Sequence, residues 1–386
     1  MRTRLLAFST SVTGILATAC GSAPVPRVPD GTTTSVTVQT QVVTAHEATN
    51  ERTLLARGEE ALMSQRWQEA IDALSTLVAA NGDPAIAEKA MFDLGLAYEG
   101  GDVMDKARDT YRAFSSRFPR SPNARGAMVR LVGIHAFLEE WKELAEIGDA
   151  LLARPDVTDV ERISGLGARG LARIENGDDV LASRDVLAGL DLVDSLHYGA
   201  AGRLPVPAAM LRFAQAEIRR VRSERIRFVP LPPNFVVQIS ARAQGLLDAQ
   251  AAYADAIRCV DPHWAAMSGY RIGEMYRVLH HDLMEIPPTK DANTERKKQL
   301  FFGIMHVRYR ALLDKGVEMM KRTVAFAEKT GDASTWIRRA QSALDEMVLA
   351  LKEEDAVLAK MPFTRDELEK ALELMEKHAR EKAGGS

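Results

Sequence analysis

Met91-Phe92-Asp93-Leu94-Gly95-Leu96-Ala97-Tyr98, followed by Met104-Asp105-Lys106-Ala107-Arg108-Asp109-Thr110-Tyr111-Arg112-Ala113-Phe114, decides how this chain folds. Apolar residues recur in both stretches at three- and four-residue spacing, the period of a helix with one buried face. Gly95 and Ala107 are small where two such helices would cross closely. Tyr98 and Tyr111 are large enough to fill the gap between one helical pair and the next. Pro119 stops the second helix, because proline cannot extend the hydrogen-bond ladder. The same order of residues stands earlier, in Leu54-Leu55-Ala56-Arg57-Gly58-Glu59-Glu60-Ala61 and Trp67-Gln68-Glu69-Ala70-Ile71-Asp72-Ala73-Leu74. Gly58 and Gly95 are 37 residues apart, as are Ala70 and Ala107. Trp141-Lys142-Glu143-Leu144 puts Leu144 a further 37 residues on, and Gly170 with Ala182 marks a fourth copy. A fixed period of this size indicates a stacked array in which each unit buries its apolar face only against its neighbours.

Composition agrees. The chain has 386 residues, 46% of them hydrophobic and only 6% aromatic, and alanine is abundant. Ala, Leu, Arg and Glu are the strongest helix formers, and strand-like runs of Val, Ile and Thr are nearly absent after residue 50. The expected class is all-α. The net charge of −3 gives no general attraction to nucleic acid. Two cysteines, Cys20 and Cys259, exclude a disulfide framework and a cysteine-based structural zinc site.

The copies resemble tetratricopeptide repeats, helix–turn–helix units of about 34 residues. The second copy carries the resemblance best, through Leu94-Gly95, Tyr98, Ala107, Tyr111 and Pro119. The resemblance implies an α-solenoid of helical hairpins. It also implies that the first helix of each unit lines a groove holding partner segments. By position, that groove displays Glu59, Lys89, Phe92 and Glu99 in the early copies and Tyr270, Glu274 and Arg277 in a later one. Mixed charges with a few aromatics suit an extended or helical peptide; the bland alternative is ordinary surface residues.

The first residues carry a different message. Arg2 and Arg4 precede the apolar stretch Leu5 to Leu16, which is shorter than the ~20 residues needed to span a bilayer. Ala17-Thr18-Ala19 then offers a small-residue cleavage point directly before Cys20. This resembles a bacterial lipoprotein signal, although Ala17 stands where that motif usually has Leu. The ordinary secretory A-x-A rule cuts at the same bond, so two readings stay open: acylated Cys20, which we adopt, or a bare thiol able to pair with Cys259. Residues 21–50, rich in Pro, Gly, Ser and Thr, read as a tether.

The array is interrupted over 199–235. A helix expected at about 208–227 carries Arg212, Arg219, Arg220, Arg222, Arg225 and Arg227, and Pro230-Leu231-Pro232-Pro233 follows. These arginines suggest either a solvated face offset by Glu217 and Glu224, the favoured reading, or a basic patch for anionic lipid or an acidic partner. The array then resumes with Ala249, Tyr253 and Ala256, ended by Asp261-Pro262, and with Tyr270-Arg271-Ile272-Gly273. Its partner helix is expected only near Leu312 to Thr330, delayed by an insertion from Ile286-Pro287-Pro288 through Lys298. Phe363-Thr364-Arg365-Asp366-Glu367 reads as a capping box that opens a last helix with Leu368, Ala371, Leu372 and Met375 on one face. Such a helix suits a polar cap on the end of the array, or a docking element for a partner.

Two finer resemblances bear on function. Phe118-Pro119-Arg120-Ser121-Pro122-Asn123-Ala124 resembles the turn common in outer-membrane assembly lipoproteins of this class. Tyr270-Arg271-Ile272-Gly273, the Pro287-Pro288 break and Asp314-Lys315-Gly316 resemble tetratricopeptide lipoproteins of gliding-motility systems in myxobacteria-like envelopes.

Catalytic signatures are absent from the sequence: no G-x-S-x-G, no P-loop, no dinucleotide fingerprint. His280-His281-Asp282, with His306 as a third ligand, is the one cluster that invites a metal. Adjacent helical histidines point about 100° apart, however, and satisfied histidines are the simpler reading. No catalytic residue, metal or cofactor is expected, and no small-molecule substrate.

The expected organisation is a signal over 1–19, a lipidated Cys20 and tether over 20–50, an array over 51–198, a connector over 199–235, a second array over 236–361 and a capping helix over 362–386. The expected function is a non-enzymatic scaffold for other envelope proteins, lipid-anchored at the periplasmic face of the outer membrane. Gly21 after Cys20 supports that membrane, since no Asp holds the chain at the inner one. A soluble periplasmic protein is the alternative. Gliding motility is the specific expectation; assembly of outer-membrane β-barrels or secretins is the second, and a periplasmic enzyme or metal binder the third.

Overall fold

A computed structural model describes residues 50–80, 82–199, 204, 206–259, 261–331 and 334–384. Cys20, the proposed leader and nearly all of the tether lie outside these residues. Among the described residues the secondary structure is helical throughout. The order is α1 (50–63), α2 (Trp67–Ala80), α3 (Pro84–Gly100), α4 (Met104–Arg117), α5 (Ala124–Phe137), α6 (Trp141–Leu152) and α7 (Asp159–Glu175). It continues with α8 (Asp179–Ser195), α9 (Pro207–Glu224), α10 (Phe235–Ile257), α11 (Pro262–Met284), α12 (Glu295–Thr330), α13 (Thr335–Ala359) and α14 (Arg365–Gly384).

Consecutive helices from α2 to α13 pack against each other, the odd-numbered helices from α5 to α13 also touch the next odd-numbered one, and α14 packs on α12. That pairing makes two layers, one of first helices and one of second helices: an α-solenoid. Local chemistry sets the boundaries. Asp83 accepts from the Ala85 N–H ahead of Pro84, and Thr158 forms a capping box with Glu161. Asp261 accepts from the His263 and Trp264 N–H groups at the start of α11. Each side chain satisfies amides that have no partner inside the helix.

Close approach within a hairpin depends on glycine. A Cβ on Gly95 would stand 2.5 Å from the Tyr111 ring, and on Gly58 it would stand 2.7 Å from Leu74. Gly170 and Gly273 stand in the same relation to Val186 and Met320. Tyr111 and Phe114 are thereby fully buried, as is Leu144 at the alanine's place in the third copy.

The Arg-rich stretch between the two arrays supplies α9, a helix near the expected place. Ala208, Ala209, Leu211, Phe213, Ala214 and Ala216 on it are completely buried against α7 and α10. One hydrophobic cluster runs from Val132 on α5, through α9, to Trp336 on α13. Cys259 belongs to that cluster, and burial pushes its thiol up to about 11, as befits a small core residue.

The partner of α11 departs from expectation. It begins at Glu295, capped by Thr294, and continues for 36 residues instead of starting near Leu312. The insertion is therefore shorter than expected, and α12 is about 54 Å long at ~1.5 Å per residue. Its first half needs cover, which α14 supplies: Gly303 lets Leu368 approach to within 2.7 Å of where a Cβ would lie. The capping box at Thr364 is formed with Glu367. Leu368 of α14 is buried against α12, whereas Met375 on the expected apolar face is exposed.

Glycine at a crossing and glycine in open space should respond oppositely to alanine. Gly133 on α5 has no atom within 4 Å of its would-be Cβ. In urea denaturation Gly95→Ala is expected to cost about 1–3 kcal/mol by overpacking, and Gly133→Ala to gain about 0.5–1 kcal/mol by stiffening the helix.

Candidate functional site

The early groove residues lie on α1 and α3, as their spacing predicts. The Lys89 ammonium pairs with the Glu59 carboxylate, tying α3 to α1. The Phe92 ring stands 5.7 Å from Tyr111 and 5.6 Å from Phe114, so it serves the hairpin as well as the surface. Glu99 accepts from the Tyr111 hydroxyl at 2.9 Å and from Arg130 of α5 at 2.6 Å. Between them lies Asp93, which spacing did not single out. Burial, followed by the charge of Glu59, pushes its carboxyl up to about 6.

The later set lies on α11. The Tyr270 ring stands 5.7 Å from Trp336 of α13. Arg277 donates to Glu274 at 2.9 and 2.6 Å, so these two neutralise each other. Arg339 of α13 stacks over the Trp336 ring at 4.4 Å and donates at 2.8 Å to Glu139, in the turn after α5. Each set is thus held in place by its own neighbours.

The solvated-face reading of the arginine-rich helix holds in part: Arg222, Arg225 and Arg227 are exposed, and Arg220 pairs with Glu224 at 2.7 Å as well as with Glu217. Arg222 and Arg225 both pair with Asp179 of α8, at 3.0 and 2.9 Å, and Arg219 donates to the Asp248 carbonyl at 2.9 Å. Their charge is spent on packing α9, which argues against a basic patch on α9. Glu217 corrects the solvated-face reading, since it is completely buried. It accepts from Arg220 at 2.5 and 2.8 Å and from the buried Tyr253 hydroxyl at 2.5 Å, and Arg271 lies 3.1 Å away. Glu175 of α7 lies 3.9 Å from both guanidiniums. Burial acts against an ionised Glu217, but Arg271 and Arg220 outweigh it and hold the carboxyl below its usual range. Glu175 is shifted the other way, upward, by burial and then by the charge of Glu217. The sequence hint was Glu217 sitting among Phe213, Ala214, Ala216 and Ile218.

The histidine cluster divides. His280 of α11 lies 2.8 Å from Glu354 of α13, and His306 of α12 lies 3.1 Å from the same carboxylate oxygen. His281 turns away, 3.3 Å from Glu285, and Asp282 pairs with Arg242 at 3.2 Å. Burial opposes ionisation of Glu354, but the two imidazoles hold it down at about 2. The cluster fastens three helices together. Among the described residues, no group of three His, Cys, Asp or Glu side chains has the geometry to hold a metal ion.

A cavity of about 200 Å³ lies where the ends of α3 and α5 meet the start of α11. Met104, Gly133, Ile134, Phe137 and Trp264 are its apolar lining residues, and Glu99, Asp261 and His263 its polar ones. The His263 ring stacks on Phe137, with centroids 3.9 Å apart. Burial pushes the imidazole down to about 3, so it is neutral at ordinary pH. No helix among the described residues is long and apolar enough to cross a membrane.

With that geometry in place, comparison with known proteins is direct. Residues 89–121 match the tetratricopeptide repeat family, which covers the end of α3, α4 and the following turn. No curated protein matches the chain. Among solved structures the chain is similar to a tetratricopeptide repeat protein from Parabacteroides merdae ATCC 43184, at 11% identity and a TM-score of 0.41. The match covers 77% of this chain and 98% of that one.

Two substitutions test the electrostatics. Glu217→Gln leaves two buried guanidiniums short of a partner and is expected to cost about 3 kcal/mol in urea denaturation at pH 7, whereas Glu175→Gln, at a carboxyl already biased toward its neutral form, should be nearly neutral. At Asp93 the raised carboxyl means that the folded state holds a proton the unfolded chain releases between about pH 4 and 6, so stability falls as pH rises through that window. Asp93→Asn should therefore be more stable than the parent at pH 7.5 by about 1 kcal/mol, allowing for solvent screening. The two should coincide near pH 4 when thermal melts are compared.

Proposed function

We propose that this chain is a non-enzymatic protein–protein interaction scaffold, held at the cell envelope by lipid on Cys20. The observation that carries the scaffold reading is the stack of helical hairpins around the tetratricopeptide match at 89–121. On this reading the partner segments meet the charged and aromatic side chains of the first helices, Glu59, Lys89, Phe92 and Glu99 and then Tyr270, Glu274 and Arg277. The anchor rests on Ala17-Thr18-Ala19 directly before Cys20, and the outer membrane on Gly21. The other envelope proteins it joins are, on this reading, parts of a gliding-motility machine, because Tyr270 to Gly273, Pro287-Pro288 and Asp314 to Gly316 resemble that group.

The resemblance of Phe118 to Ala124 to the turn of outer-membrane assembly lipoproteins supports a second client, an outer-membrane β-barrel or secretin under assembly. The turn from Phe118 to Ala124 is built as a unit: Ser121 donates to Glu88 of α3 at 2.6 Å and accepts from the Asn123 N–H at 3.0 Å.

Affinity capture of the full-length protein from detergent-solubilised envelopes tests both readings. Motility components in the eluate support the first and assembly components the second; recovery of neither overturns the scaffold. Joint Lys89→Ala and Arg277→Ala should weaken capture about tenfold with an unchanged melting curve. Mass spectrometry of the mature N-terminus should find acyl groups on Cys20, and a bare thiol there would make the protein soluble in the periplasm.

A further inference from the structure

We propose that the cavity between the ends of α3 and α5 and the start of α11 seats a single tyrosine side chain from a partner segment. This deepens the scaffold reading and rests on it. Two features of the residues lining the cavity are unexplained by the fold. The first is His263, whose Nε2 atom is buried and has no hydrogen-bond partner. An orphaned buried polar atom is costly, and a bound group that pairs with it removes the cost. The second is Gly133. A glycine inside a helix weakens it. At Gly58, Gly95, Gly170 and Gly273 a neighbouring side chain occupies the space where a Cβ would stand, but at Gly133 nothing does. The fold keeps that wall of the cavity open without using it.

The lining selects the occupant. Ile134, Phe137 and Trp264 are buried apolar walls and call for an apolar body. At about 200 Å³ the space is below the ~300–1,000 Å³ typical of drug-sized ligands, and suits one side chain. A cation is disfavoured because both carboxylates are engaged. Glu99 already receives Tyr111 and Arg130, and Asp261 accepts the His263 and Trp264 amides. The atom left over belongs to a neutral imidazole. A phenolic hydroxyl both donates and accepts, so it pairs with either tautomer of His263. Tyrosine combines that hydroxyl with a flat ring, at a low entropic cost of ordering.

The probes are p-cresol and toluene, which differ only in the hydroxyl, followed by N-acetyl-tyrosinamide and N-acetyl-phenylalaninamide. Binding to the full-length protein is read by NMR titration of the His263 ring resonances, assigned with His263→Phe. Saturable p-cresol binding about tenfold tighter than toluene is expected, the size of one hydrogen bond. The tyrosine amide should bind with the same preference over the phenylalanine amide. Gly133→Leu should fill the cavity and abolish binding, Gly133→Ala serving as the folded control, and His263→Phe should erase the preference for the hydroxyl. Equal affinity for toluene, unchanged binding to Gly133→Leu, or absence of saturation overturns the site. Binding of p-cresol without the tyrosine amide overturns the side-chain assignment, because the cavity would then take free phenols only. If Gly133→Leu loses p-cresol binding yet captures its envelope partners undiminished, the tyrosine anchor is overturned while the scaffold reading stands.

Discussion

The distance between the two helices of each hairpin is the constraint on which the rest of this structure depends. Gly95 admits the Tyr111 ring, and Gly58, Gly170 and Gly273 admit Leu74, Val186 and Met320 in the same manner. With the second helix drawn close, the first helices of successive units come within reach of one another from α5 to α13. Their outward side chains then form one continuous layer. A Cβ at Gly95 would meet the Tyr111 ring and one at Gly170 the short Val186 side chain, so that ring or side chain, or the helix carrying it, must move, which is why small residues recur at the crossings although they are poor at holding a helix together.

Buried charge does a second job, fixing which helix sits beside which. Apolar alanine-rich surfaces slide past one another at little cost, but Glu217 is buried and needs Arg220, Tyr253 and Arg271 around it, which fixes α9 against α10 and α11. Glu354 between His280 and His306 acts likewise on α11, α12 and α13. Both clusters lie in the part of the chain where the repeat pattern is weakest. Polar registry there takes over from the regular spacing that aligns the earlier hairpins.

Much of the fold was legible because it is local. The period of 37 residues, the small residue at each crossing, Asp261-Pro262 and the Thr364 capping box each declare a helix or its end within a few residues. The start of α12 is not legible from spacing, because the Pro287-Pro288 break stands only a few residues before Thr294, which caps the helix. Glu217 was misjudged for a different reason. Its partners Tyr253 and Arg271 are 36 and 54 residues away in sequence, and nothing in a helical period records which distant guanidinium will arrive. The residues expected in the groove lie on α1, α3 and α11, but spacing does not reveal that Phe92 packs into its own hairpin or that Asp93 lies among them. His263 and Gly133 acquire meaning only when α5 and α11 come together.

The bridge from Arg339 to Glu139 joins residues 200 positions apart. A linear stack of repeats can come undone like a row of dominoes, one unit at a time from either end, because each unit holds only its neighbours. Here the turn after α5 is fastened to the start of α13, and Phe137 is stacked on His263 beside it. The span between them is a closed loop of protein with no free end inside it. Its helices are tied to one another across the span as well as through their neighbours, whereas the hairpins before α5 hold only the units beside them.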